Sequence, residues 1–323
     1  MSMLELLHPL LQRLRAPFAT RPIERLATAI VSAIEAEYRG IVAYGLARFG
    51  KSWAVKYLTG NASWIRGPFF TARLSIPKSH KRTEGAFFSL WLARFSMALP
   101  ERSTPMERME RLRNYLIAKC DEHGTDLAVI FLDEAQRLFP DDYEHLVSLD
   151  NDMTDFGYVL FVVFVVQSDF SGTAMEKIYD GNPPPHVRGR FLTRKHEFGG
   201  LNGIDEIDHA LGRMDEHTEW PAGSARSYSC HFAPGAFEEG WRFRQHAAQL
   251  YQRAVRLRLE HGLSGAWTWP MKSFEVCINF LLTNIAGPRT DFSGFTDEDI
   301  DQALQASGFI ELERSRGMGL VEE

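Results

Sequence analysis

Gly45, four residues, then Gly50-Lys51-Ser52 (GLARFGKS) is a spacing that can hold phosphate. In such a loop backbone N–H groups wrap the β-phosphate, Lys51 offsets β- and γ-phosphate charge, and Ser52 ligates Mg2+. A helix starting directly after it adds the positive end of its dipole. A second pair, Asp133-Glu134, follows the apolar run Leu127 to Leu132 (LAVIFL). There Asp133 would hold Mg2+ through water, and Glu134 would orient or deprotonate an attacking water. Gln167 closes another apolar run, where its side chain can touch a γ-phosphate or merely open a turn. Arg188 and Arg190 lie in HVRGRF. An arginine supplied across a subunit boundary neutralises the transferring phosphoryl group and can raise turnover by about 10³ to 10⁵. Of the two, Arg190 is favoured because the apolar Phe191-Leu192 directly after it can anchor it. The plain alternatives are a chance glycine turn, a surface Asp-Glu pair opening a helix, and solvated arginines.

Chemistry of this kind needs a strand, the loop and a helix in that order. Ile41 to Tyr44 (IVAY) is a short apolar strand running into Gly45, and Ser52 to Leu58 starts a helix. Upstream, Pro22 to Tyr38 has apolar residues at spacings of three and four, with Thr20 available as a cap and Gly40 as a stop. Further strands are predicted at Phe69 to Ser75, Leu127 to Leu132 and Val159 to Val166, with helices at Ala86 to Ala98 and Met106 to Glu122. Continuous apolar strands separated by helices imply an α/β fold, a parallel sheet covered on both faces. The three prolines of GNPPPHVRGR (181 to 190) predict extended chain. Beyond about residue 203 the pattern is helical, at Ile204 to Met214, Phe237 to His261, Met271 to Ile285 and Asp297 to Ala306, with a long loop at 215 to 234. The expected organisation is an N-terminal arm (1–20), an ATPase core (21–202) and a small helical lid domain (203–323).

Composition bounds the function. With 323 residues, 45% apolar, the chain can bury a sizeable core. The net charge of −6 gives no global basic signal, so nucleic-acid binding would need a local patch. Cys120, Cys230 and Cys277 are far apart, which argues against a zinc ribbon or disulfide framework and for a reducing cytoplasm. The amino terminus lacks the order of a signal peptide, and the longest apolar run, YVLFVVFVV, is about half of what a membrane span needs, so no membrane association is expected.

The ordered set GLARFGKS, FLDEAQRL, VVFVVQSD and VRGRF, with a helical C-terminal part, resembles the AAA+ P-loop ATPases. The LDEAQRL form, after a helix containing TRPIERL, looks like the TnsC/TniB group of transposition regulators, related to IstB and MuB. The resemblance covers about residues 15 to 215. It implies an ATP and Mg2+ site carried by Gly45, Gly50, Lys51, Ser52, Trp53, Asp133 and Glu134, with Gln167 at sensor 1 and Arg188 or Arg190 as the arginine finger. It also implies a homo-oligomeric ring or filament, about six or seven subunits per turn, on duplex DNA. Such an assembly presents the target to a transposase with target-selection proteins. The chain departs from the pattern at sensor 2, where the usual arginine is missing and Lys272 in WPMKSF is only a weak match to it.

Between the second strand and its helix, IPKSHKRTE (76 to 84) holds Lys78, His80, Lys81 and Arg82. The resemblance faces this segment to the central channel, where such cations contact phosphates without reading sequence. The arm cations Arg13, Arg15, Arg21 and Arg25 are a second candidate, and a solvated loop is the plain alternative. Two other functions share the same core: a helicase-loader or replication ATPase, and a signalling or defence ATPase that does not bind DNA.

Overall fold

The computed structural model describes residues 7–79, 81–98, 102–167, 178–179 and 182–318. The chain forms two compact units. The sheet unit comprises Arg25–Ala47 and Ala54–Phe198, and the helical unit takes the residues up to Glu24, Arg48–Trp53 and the chain from Gly199.

In the sheet unit β1 (Gly40–Gly45), β2 (Phe70–Ser75), β3 (Leu127–Asp133), β4 (Val159–Gln167) and β5 (Arg194–Glu197) form one sheet in the order β2-β3-β4-β1-β5. Every pairing is parallel. β4 lies between β3 and β1, so both its edges are paired, and Leu160 to Val166 are at most 1% exposed, so both its faces are covered as well. That is why its sequence is an unbroken apolar run, with no alternation. β5 is an edge strand bonded to β1 alone, so its side chains alternate between half-buried and exposed. RKHE can therefore serve as a strand, and its polarity hid it from a search for apolar runs.

Helices cover this sheet. α1 (Arg21–Glu35) buries Ile23, Leu26, Ala27, Ile30 and Ala33, but the expected cap fails: the Thr20 hydroxyl is buried without a hydrogen-bond partner. α3 (Glu84–Arg94) is capped by Thr83, and α4 (Pro105–Glu122) by a reciprocal Thr104–Glu107 box. Such caps stabilise a helix by about 1 kcal/mol each. Phe87, Phe88 and Trp91 of α3 are fully buried, each contributing about 2–3 kcal/mol. α5 (Pro140–Asp155) has no counterpart among the expected helices. It begins with proline, and its first turn carries Asp141 and Asp142, both suited to a helix N-terminus.

The expectation of extended chain through 181–190 holds at Pro184 (φ −53°, ψ 149°) and is corrected from Pro185 on, with residue 181 outside the described residues. Pro185 occupies the first position of a helical turn (Pro185–Val187) that runs into a π-helical turn at Arg188–Leu192. Proline at that position costs no hydrogen bond, because the first N–H groups of a helix have no intrahelical partner.

The helical unit has its own core, built on Trp269, Phe243, Phe274 and Phe309, into which Leu10 and Phe18 of the N-terminal segment also pack. The single helix expected over Phe237 to His261 is three pieces, Pro234–Glu238, Phe243–His246 and Ala247–Glu260. Gly240, at φ 98°, breaks it in the left-handed region. Residues 215 to 234 are likewise not all loop: Tyr228–Phe232 is helical, with the Ser227 hydroxyl accepting from the Cys230 N–H. Met271–Phe280 and Asp297–Ala306 are helices as expected, and Phe309–Met318 adds a further one. Among the described residues no helix is long and apolar enough to cross a membrane.

Candidate nucleotide site

One edge of the sheet gathers the chemistry. β1 ends at Gly45, β4 at Gln167 and β3 at Asp133, and the register sets Gly45 beside Gln167 and Asp133 beside Val165. In a parallel sheet the carboxyl ends of the strands form the edge where loops bind ligands. Gly45 must lack a side chain, because a Cβ there would lie 2.2 Å from the Phe198 carbonyl oxygen. After it the loop turns with positive φ at Arg48 (65°) and Gly50 (98°). Left-handed residues in a short loop are the backbone form in which N–H groups converge on an anion. Helix α2 (Lys51–Gly60) starts directly at Lys51.

In the helical unit the Lys272 N–H donates to the Arg48 carbonyl at 3.2 Å, and a Cβ on Gly50 would lie 2.8 Å from that of Met271. The N-terminal turn of Met271–Phe280 thus rests on the glycine loop. The Lys272 ammonium lies 3.5 Å from Glu275. Trp53 packs edge-on against Phe18 and lines a small cleft with Pro17, Tyr228 and Ile278. Arg15, an arm cation, is held by Glu275 at 2.5 Å. In the aromatic stretch beyond, Trp241 and Phe243 are buried while Arg244 pairs with Asp208.

Asp133 is nearly buried, with its side chain 6% exposed. One carboxylate oxygen accepts from the Glu134 N–H at 3.1 Å, and the other pairs with Arg73 from β2. Glu134 itself has φ 61°, a left-handed conformation that costs a side-chain-bearing residue roughly 1–2 kcal/mol. Its Oε2 accepts from Gln136 Nε2 at 2.8 Å and pairs with Arg137 at 3.0 Å. Gln136 Oε1 in turn accepts from the Gln167 N–H at 3.3 Å. The structure therefore joins Glu134 to the end of β4 through one glutamine.

A hydroxyl at Ser52 and a carboxylate at Asp133 are hard oxygen donors, the ligand type that magnesium takes alongside water and phosphate. Among the described residues no cluster of three or more His, Cys, Asp or Glu side chains could hold a metal by itself.

The two finger candidates differ. Arg190 is directed inward to its own unit, bonded to buried Asp150 at 2.8 Å and to Asn151 at 2.7 Å. Arg188 is exposed and hydrogen-bonded to Asn182. Burial lifts the Asp150 carboxyl above its ordinary range, and Arg39 and Arg190 act against that shift. In the basic segment Lys78, Lys81 and Arg82 are exposed, and His80 lies outside the described residues. Arg82 is engaged, 3.1 Å from Asp141 and over the Phe139 ring.

Arg73, Gln136 and Arg137 were not singled out from sequence. A signal existed for each: an arginine inside the apolar strand FTARLS, and two polar residues directly behind Asp133-Glu134.

Residues 34–173 match the family described as an AAA domain. That match covers less than half of the chain; the fold it falls in is a parallel five-stranded sheet flanked by helices, and a helical C-terminal region follows in the chain. Similar solved structures include Cdc6p from Pyrobaculum aerophilum, 14% identical over 97% of this chain and 89% of that one, TM-score 0.41. AMPPCP-bound DnaA from Aquifex aeolicus is 16% identical over 92% of this chain and 89% of that one, TM-score 0.38. No curated protein sequence matches the chain.

Proposed function

We propose that this chain is an ATP-dependent DNA-binding regulator of transposition, which oligomerises on duplex DNA and presents the target to a transposase. The observation that carries the nucleotide part is the shared sheet edge, with the glycine loop leaving β1, Asp133-Glu134 ending β3 and Gln167 ending β4. Lys51 and the loop hold the phosphates, with Trp53 beside them in the first turn of α2. Ser52 and Asp133 would hold Mg2+, which neutralises charge on the phosphates when bound. Glu134 takes the proton of the attacking water, and Gln167 reads the γ-phosphate.

Arg188 is the better finger of the two arginines. Its guanidinium is exposed, whereas Arg190 would have to abandon a buried carboxylate to reach a neighbouring subunit. Lys78 and Lys81 supply the phosphate contacts to DNA, and Arg82 joins them if it leaves Asp141. The transposition part of the reading rests on LDEAQRL and TRPIERL.

Electron microscopy of the purified chain with duplex DNA and a non-hydrolysable ATP analogue, beside a nucleotide-free control, tests the proposal. Rings or filaments on DNA that require the nucleotide support it. Separate particles that ignore DNA in both samples favour a protein-directed signalling ATPase. A preference for forked or single-stranded DNA moves the reading to replication.

A further inference from the structure

A loop that turns through the left-handed region does so at least cost on glycine. Gly50, at φ 98°, is such a residue. Arg48, at φ 65°, is not: there the Cβ crowds the following carbonyl oxygen, a strain that glycine at the same position would relieve. Strain of this kind persists where the surroundings fix the backbone, and it gathers at functional sites. The surroundings do fix it here. The Arg48 carbonyl accepts from the Lys272 N–H at 3.2 Å, and Phe49, directly after it, is 3% exposed.

The side chain has no such tie. Arg48 is exposed, and among the described residues its guanidinium has no hydrogen-bond or ion-pair partner. Two other cations of the helical unit are committed: Lys272 and Arg15 both pair with Glu275, at 3.5 and 2.5 Å, and that carboxylate is only 8% exposed. Drawing either of them away would leave a nearly buried charge short of a partner. Arg48 can turn to an anion with no carboxylate to abandon. Its guanidinium adds no contact to the fold, so folding stability alone would favour glycine at this position.

The loop's own chemistry says which anion. In a loop of this spacing the backbone N–H groups cradle the inner phosphates, and Lys51 is the side chain that reaches outward. The terminal phosphate carries the largest charge and has the fewest of these donors. A guanidinium presents a planar fork that binds phosphate oxygens in pairs, which an ammonium cannot do. We propose that Arg48 binds the terminal phosphate of a nucleoside triphosphate held in its own loop, and so sets triphosphate apart from diphosphate at this site. The strain is carried by the empty loop and offset when phosphate accepts the fork. This inference rests on the reading of the glycine loop as a nucleotide site and is independent of DNA and of transposition.

The test measures, by calorimetry, the affinity of the full chain, Arg48→Gly and Arg48→Lys for a non-hydrolysable ATP analogue and for ADP, both with Mg2+. The melting temperature of each protein without nucleotide is read beside it. In Arg48→Gly the affinity for the analogue should fall about ten-fold, the scale of a hydrogen bond to a charged group, and that for ADP by less than about two-fold. The nucleotide-free melting temperature should hold or rise, since relief of strain offsets the extra freedom of glycine in the unfolded chain. Arg48→Lys, which keeps the charge without the fork, should fall between. An unchanged ratio of analogue to ADP affinity in Arg48→Gly overturns the inference alone, as does an equal loss for both nucleotides, which marks a damaged loop. A loss seen only at concentrations where the chain self-associates also overturns it, by assigning Arg48 to a neighbouring subunit's site. A wild-type chain that binds neither nucleotide overturns the nucleotide reading, and the inference with it.

Discussion

Two carboxylates of the sheet unit, Glu134 and Asp150, are each paired with an arginine close in sequence or space, at 3.0 and 2.8 Å, yet they serve opposite ends. The Glu134 side chain is 31% exposed, on a left-handed residue at the end of β3, and its arginine also donates to the Ile76 carbonyl. The Asp150 side chain is 2% exposed inside α5 and faces two arginines, Arg39 and Arg190. Similar distances therefore do not mean similar roles. Water near Glu134 screens the pair and offers each partner an alternative, so it can open at little cost. Asp150 has no such alternative, and separating it from its arginines would strand a buried charge.

Four substitutions or titrations test that contrast. Glu134→Gln has the largest expected effect: ATP turnover should fall by about 10²-fold or more, with nucleotide binding and fold intact, as for loss of a general base. Turnover close to wild type would remove Glu134 from the chemistry. Arg190→Ala, which takes the nearer arginine from the buried Asp150 carboxylate, should leave the chemistry of the edge alone and cost about 3 kcal/mol of folding stability, read by denaturant unfolding. A loss below about 0.5 kcal/mol would mean that Asp150 behaves as a surface pair does, and the contrast would fail.

His8 extends the comparison to a buried group with no counter-ion among the described residues. Its side chain is packed against Trp220, Tyr228, His231 and Phe232, and burial, then the neighbouring His231, hold its pKa down at about 3. The unfolded chain binds this proton below the ordinary value of 6.5 and the folded chain does not. Stability contributed by neutral His8 is therefore complete above 6.5 and is lost as pH falls towards 3. The expected loss is about 1–3 kcal/mol between pH 6 and 4. His8→Asn, which keeps an acceptor for the Leu10 N–H, should flatten that dependence in melting temperature against pH. An unchanged slope would shift the effect to His231, whose pKa burial also lowers.

The smallest effect falls on the basic segment. Replacing Lys78, Lys81 and Arg82 together by alanine should weaken duplex binding about ten-fold for every sequence and flatten its salt dependence, measured by fluorescence anisotropy across a salt series. Arg82→Ala alone should do least, because its cation is already paired with Asp141. Unchanged affinity in the triple variant would place the DNA surface elsewhere.

The sequence by itself determined the strands β1 to β4, the glycine loop between β1 and α2, and the acidic pair at the end of β3. Those features are written locally: a strand covered on both faces has to be apolar throughout, a tight turn against the Phe198 carbonyl has to be glycine, and two carboxylates have to follow an apolar run to stand at its exposed end. Only the tertiary structure decided the rest. β5 is a strand because β1 offers it an edge, the chain at Pro185 turns helical because that is a position where proline costs no bond, and the helical unit breaks at Gly240 where no periodicity marked it. The same holds for the arginines. Their charge is fixed by composition, but whether Arg137 can let go, or Arg190 can reach another subunit, depends on how much water its carboxylate keeps, and that is set by packing between residues far apart in the chain.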